Sequence, residues 1–185
     1  MSEPRVFWLH EDEWGMIDIL PAENFASALQ TAHEAEEFGK AHFDGFGWTD
    51  MFVIPEAKAQ LAQRNMPLSE IRTLTRGYLP AADRVESGIR PGEINCDNGS
   101  FAFAEEDKGA LYGEEREGVV QYLCMLPPER VDEASMTFWT SALIMLGTTH
   151  HLMLADWWDK RLIDLSDRDA IVRYLHGTRY LLRHQ

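Results

Sequence analysis

The side chains best suited to chemistry in this sequence are the histidine pair His150-His151 and two acidic runs, Glu105-Glu106-Asp107 and Glu114-Glu115 with Glu117. A zinc site needs four ligands converging tetrahedrally. The stretch "HHLMLAD" reads as a strand, where neighbours point to opposite faces, so the two imidazoles diverge. No CxxC or HxxxH spacing supplies further ligands, and no metal is expected. Paired carboxylates can divide acid and base roles. Here, however, they sit in turn sequences, "EEDKG" and "GEEREG", where charge keeps loops in water and blunts sheet edges. A partner-binding face is the more specific use open to Glu105, Glu106, Asp107, Glu114 and Glu115.

The loop "FDGFGWTD" carries Asp44 and Asp50 among three aromatic residues, Phe43, Phe46 and Trp48. Its acids do not follow the alternating spacing of a calcium loop, and "GFG" lacks the glycine spacing of a phosphate cradle. Trp48 in such a loop either plugs the core from outside or serves as a contact anchor. No GxSxG elbow and no cysteine signature supplies a nucleophile, so no catalytic residue and no cofactor is expected. Trp157 and Trp158 are adjacent, so one ring faces in and the other out. The outward ring either covers the stems of Lys160 or Arg161 or joins Asp159 in a partner contact.

The chain has 185 residues, 45% hydrophobic and 26% charged, with a formal net charge of −14. That composition supports a real core and argues against disorder. The acidity repels nucleic acid and anionic membranes and suits either high solubility or a basic protein partner. It is concentrated early: residues 1–50 hold eleven Asp/Glu and two Lys/Arg, whereas residues 159–185 hold four acids and six bases. Two cysteines are too few for a disulfide framework. Cys124, within "VVQYLCML", reads as a small core residue. "MSEPRVFWLHEDEWG" has neither the basic nor the apolar region of a signal peptide, and the longest apolar stretch, "FWTSALIMLG", is too short to span a bilayer. A cytoplasmic, reduced setting is the expectation.

Periodicity then places these residues. "RVFWLH" and "GMIDIL" around a polar turn predict a hairpin. Phe25, Leu29, Ala32 and Phe38 space as one helical face over "PAENFASALQTAHEAEEFGKAH". "MFVI" predicts a short strand, and "PEAKAQLAQRN" a helical turn or two. "PLSEIRTLTRGYL" predicts a helix with Ser69 as N-cap and Ile71, Leu74 and Tyr78 inward. "DRVESG", "SFAFAEE", "GALYGE" and "GVVQYLCML" predict an antiparallel meander. "ERVDEASMTFWTSALIMLGTTH" predicts a helix with Val131, Ala134, Phe138, Ala142 and Met145 inward, ending at Gly147. "HLMLADWW" and "RLIDL" predict a hairpin turning near Asp159-Lys160. "SDRDAIVRYLHG" predicts a helix capped by Ser166 with Asp169, and the basic tail "TRYLLRHQ" is expected to fray. Strands and helices mix without strict alternation. The expectation is therefore a single α+β domain over 1–185, mostly antiparallel sheet packed against several helices, with a soft seam near 80–100.

Three pieces, "EDEWGMIDILP", "DGFGWTD" and "DWWDKRLIDLSDRDAIVRYL", resemble small bacterial immunity proteins encoded beside polymorphic or secreted toxins. The resemblance implies a cytoplasmic protein, not an enzyme, that binds one cognate toxin and occludes its active site. Acidic loops would steer it onto a basic cleft, with Trp48 and Trp158 as anchors. Two alternatives stand beside it. One is an enzyme or ligand-binding protein with a pocket between sheet and helices. The other is an interaction subunit that pairs with a second copy through its aromatic surface.

Overall fold

The computed structural model describes residues 3–96 and 99–177. The predicted fraying tail, 178–185, lies outside the described residues. Among the described residues an α+β architecture of two sheets and four α-helices results.

The larger sheet has six antiparallel strands in the order β5-β6-β7-β2-β8-β9. These are β2 (Ile17–Pro21), β5 (Ser100–Glu105), β6 (Gly109–Arg116), β7 (Val119–Leu126), β8 (Leu152–Asp156) and β9 (Arg161–Asp164). Of the meander predicted from Asp83, the three strands over 100–126 form its left half, whereas "DRVESG" leaves for the smaller sheet, where it pairs in parallel with residues 6–10. The predicted closing hairpin, with β2, forms its right half. β2 and β8 are buried at every position, because both faces of the sheet are covered. This is why "LMLAD" reads as a continuous apolar run rather than an alternating one.

Helices α2 (Leu68–Thr75), α3 (Glu133–His150) and α4 (Arg168–Gly177) cover one face. Their Ile71, Trp139, Leu143, Leu146, Ile171 and Leu175 pack with Ile19, Leu111, Leu123 and Leu154 of the sheet in the main core. The Trp139 indole is satisfied there by the carbonyl of Lys108, 2.9 Å away. Gly147 does not end α3 as expected. It is buried in the helix, and a Cβ there would collide with the backbone of Leu165. The helix runs on to His150, and His151 caps it in the left-handed region at φ 53°.

Two smaller layers share the opposite face. Over β5, β6 and β7 lies a three-stranded sheet, β1 (Val6–His10), β3 (Arg84–Gly88) and β4 (Ile94–Asn95). There Phe7, Leu9 and Val85 pack on Ala102, Tyr112 and Cys124. Over β2, β8 and β9 lies α1 (Phe25–Ala41), with Ala28 on Leu20, Met153 and Ala155. Segment 80–104 is stitched to itself by Ala82 N to Ala102 O and Ala104 N to Pro80 O, both 2.9 Å.

Several local expectations are corrected. β1 and β2 do not form a hairpin: β1 pairs in parallel with β3, and β2 enters the other sheet. α1 buries Ala28, Thr31 and Ala32, while Phe25 and Leu29 are exposed. Residues 51–54 form no strand, and Met51 and Val53 stand in solvent. Pro67, not Ser69, precedes α2. The inward side of α3 is Trp139, Ala142, Leu143 and Leu146; Ala134 and Met145 face out, and Asp132 caps it by accepting from Ser135 N at 2.7 Å. At α4, Asp167 accepts from Ala170 N at 3.0 Å, whereas the Ser166 hydroxyl turns back to Asp164.

Candidate functional site

Two features stand out on the face that α1 shares with the small sheet. The first is a groove of about 720 Å³ along α1. One wall is the flank of α1 carrying Ser27, Gln30 and Glu34, and residues 54–61 run over it. That segment is tied to the start of α1 by a reciprocal amide pair: Asn24 Nδ2 donates to Ala59 O at 2.9 Å, and Ala59 N donates to Asn24 Oδ1 at 3.0 Å.

The floor of the groove is Asp18, at the middle of β2 and 8% exposed. Its register opposite Cys124 of β7 and Ala155 of β8 puts it at the centre of the sheet. A carboxyl there must be hydrogen-bonded, since burying an unpaired charge is prohibitive. Three donors meet it. The Tyr122 hydroxyl donates to Oδ1, the Cys124 thiol reaches Oδ1 at 3.3 Å, and the Trp157 indole donates to Oδ2 at 2.8 Å. Burial pushes the Asp18 carboxyl above its ordinary value near 3.8, and hydrogen bonds from Tyr122, Trp157 and Cys124 pull the other way. Burial also pushes the Tyr122 phenol and the Cys124 thiol up. Both are neutral donors at ordinary pH, and Cys124 is no nucleophile, which requires the thiolate. Gly15 makes the arrangement possible. Its φ is +76°, and a Cβ there would lie 2.7 Å from the Tyr122 hydroxyl.

The second feature is the segment that follows α1. Residues 42–49 form a small hairpin: Asp44 N donates to Gly47 O at 3.1 Å and Thr49 N to His42 O at 2.8 Å. Asp44 Oδ1 accepts from Phe46 N at 2.9 Å and Gly47 N at 3.0 Å, an Asx turn that fixes the tip. The same bonds hold the Asp44 carboxyl below its ordinary value. Phe43 packs on Trp48 with ring centroids 5.6 Å apart. Trp48 therefore does not plug the core; it is 73% exposed, and Phe46 at the tip is fully exposed. With Met51 and Val53, five large apolar side chains stand in solvent within eleven residues, flanking Asp44 and Asp50.

The remaining predicted residues separate. Trp157 and Trp158 lie in the β8–β9 turn rather than on a strand. Trp157 is half-buried on Asp18, and Trp158 is 57% exposed beside the exposed Asp159. Glu36, near the end of α1, feels Lys160 of this turn, although Lys40 dominates the lowering of its carboxyl. The hairpin after α1 and the β8–β9 turn thus lie toward one end of the sheet. Strand directions put Glu105, Glu106 and Asp107 at that end too, across the sheet in the β5–β6 turn. Glu114 and Glu115 lie at the opposite end, beside the β6–β7 turn. His150 meets a carboxylate, Glu70 at 2.8 Å, but that contact joins α3 to α2 away from the groove.

Sequence reasoning passed over Asp18. The available signal was an acid framed by apolar residues in "GMIDILP", in a strand too apolar to have a wet face. No family model, no curated protein and no solved structure matches this chain.

Proposed function

We propose that this chain is a stoichiometric protein inhibitor of the immunity type, which binds a toxin with a basic surface and occludes its active site in the cytoplasm. The observation that carries the reading is the solvent-facing hairpin bearing Phe43, Phe46 and Trp48, with Asp44 at its tip and Asp50 just after it. Aromatic anchors dominate the binding energy of protein interfaces, and an exposed apolar cluster rimmed by charge marks such a surface. Acids supply the steering: the first fifty residues, with eleven Asp/Glu against two Lys/Arg, carry most of the chain's net negative charge, and complementary fields raise association rates toward a cationic cleft.

The test is capture of the partner from the native organism's lysate at low and high salt, followed by assay of that partner alone and with one equivalent of this chain. The expected result is an activity abolished at a 1:1 ratio, with capture lost in the Phe46→Ala/Trp48→Ala variant. A partner whose activity is unchanged at equimolar ratio, or no partner at either salt, overturns the reading. A second reading, a small-ligand-binding protein, is favoured by the groove over Asp18.

A further inference from the structure

The groove has a chemistry that the inhibitor reading leaves unused. Four carboxyls line it, Asp18 on the floor and Glu34, Glu56 and Glu114 higher up, and among the described lining residues Lys58 is the one cation. Trp14, Tyr122 and Trp157 line it as well. A cavity of this size suits a small molecule or a single inserted side chain.

Asp18 itself has room for one more donor. A carboxylate presents about four acceptor positions. Oδ1 is filled by the Tyr122 hydroxyl and the Cys124 thiol, whereas among the described residues Oδ2 holds only the Trp157 indole. The open position lies on the oxygen that Trp157 shares. A donor arriving there meets a carboxylate that burial keeps poorly hydrated, where a charge-assisted bond is strong. Indole and phenol faces attract cations further, and they also accept an aliphatic stem.

Other ligands fit less well. An anion would face four carboxyls. A hard metal ion would need several converging oxygens; however, Glu34 is engaged by Gln30 at 2.8 Å and Glu56 by Gln60 at 3.3 Å. Among the described residues no three metal-binding side chains are grouped.

We infer that the groove binds an organic cation, a guanidinium or primary ammonium on a short aliphatic stem, whose N–H completes Asp18 Oδ2 while its charge and stem lie against Trp14, Tyr122 and Trp157. Such a group has two sources, a free small molecule or an arginine or lysine side chain of a protein, and the experiment separates them. The inference does not depend on the inhibitor reading, which rests on the Phe46 hairpin.

The test follows the indole N–H resonances of the full chain by NMR during titration with n-butylguanidinium, n-butylammonium, n-butylurea and a blocked peptide, acetyl-Ala-Ala-Ala-Arg-Ala-Ala-Ala-amide. n-Butylurea matches the guanidinium in shape and lacks the charge. The expected result is saturable movement of the Trp157 and Trp14 indoles by at least one cation, with affinity at least about tenfold above that of n-butylurea. A folded Asp18→Asn variant should lose at least about tenfold for that cation. If the variant does not fold, the comparison with n-butylurea on the unaltered chain decides. The peptide binding as tightly as the free cation assigns the site to a protein side chain. Exclusion of the peptide while the free cation binds assigns it to a small molecule. No movement of Trp157 by either cation at millimolar concentration, equal binding of n-butylurea, or an unaffected Asp18→Asn variant overturns the inference.

Discussion

The Trp157 indole donates to Asp18 Oδ2 across 2.8 Å, so the β8–β9 turn is fastened to the central strand β2. Its neighbour Trp158 has no such indole bond among the described residues and is 57% exposed. The two adjacent tryptophans therefore have opposite roles, and substitution should separate them. Trp157→Phe keeps a ring but removes one of three donors from a buried carboxyl, and should destabilise the fold by about 1–3 kcal/mol. Trp158→Ala should stay within about 0.5 kcal/mol. Urea unfolding of both variants measures this, and equal losses would contradict the assignment.

The same carboxyl sets a pH dependence. Burial raises the Asp18 pKa in the folded state, so the folded chain holds this proton more tightly than the unfolded chain. Above the folded pKa the group weakens the fold. As pH falls from there toward the unfolded value near 3.8, that weakening is relieved. Asp156, held by the Tyr174 hydroxyl at 3.0 Å and likewise raised by burial, acts in the same direction. Exposed Asp44 and Glu36, lowered by their hydrogen bonds, act oppositely. The clean observable is a difference: stability of the parent minus that of Asp18→Asn should increase as pH falls across this window. A constant difference would mean that Asp18 does not titrate between the two states.

Gly147 gives a prediction independent of function. A Cβ at this position meets the backbone of Leu165, where α3 crosses the chain leaving β9. In an exposed helix Gly→Ala stabilises by about 0.5–1 kcal/mol through helix propensity. Here overpacking against backbone should reverse the sign, with a loss of about 1–3 kcal/mol. Thermal unfolding of Gly147→Ala distinguishes the two, and a rise in Tm would remove the close approach from the account.

The contrast between what could and could not be read from residues follows the range of the interactions. The meander over 100–126 and the hairpin over 152–164 are local pairings, with turn residues and apolar runs that carry their own signal. β1 is different: its partner is β3, nearly eighty residues on, and a polar turn beside it suggested a nearer one. The helix over 25–41 was legible in extent, but its buried side was not. Phe25 and Leu29 are larger than Ala28 and Ala32, and hydrophobicity alone points the larger residues inward. In the structure the small face packs on the sheet because α1 lies close to it. "MFVI" misled as well: a short apolar run reads as a strand, but 51–54 pairs with no strand and Met51 and Val53 stand in solvent. Asp18 could be read as a buried acid, but its partners could not, because they converge on β2 only in the fold, Cys124 and Tyr122 from β7 on one side and Trp157 from the β8–β9 turn on the other.

If the inhibitor reading is correct, position should decide which acids matter for partner binding. Asp44 lies at the tip of the aromatic hairpin and Asp50 just after it, whereas Glu105, Glu106 and Asp107 lie across the sheet in another turn. Asp44→Asn/Asp50→Asn preserves the oxygens that accept from Phe46, Gly47 and Met51 and removes two charges. Association should slow several-fold at low salt and its salt dependence should flatten, with dissociation little changed. Neutralising Glu105, Glu106 and Asp107 together should act the same way but more weakly, because screening over about 10 Å attenuates distant charges. Phe46→Ala/Trp48→Ala should leave the association rate nearly intact and speed dissociation, each anchor contributing about 2 kcal/mol or more. Surface plasmon resonance against the captured partner at two salt concentrations resolves these effects. Equal slowing by both acidic sets would replace a local docking hairpin with the field of the whole chain, and an unaltered dissociation rate in the aromatic variant would remove the hairpin from the interface.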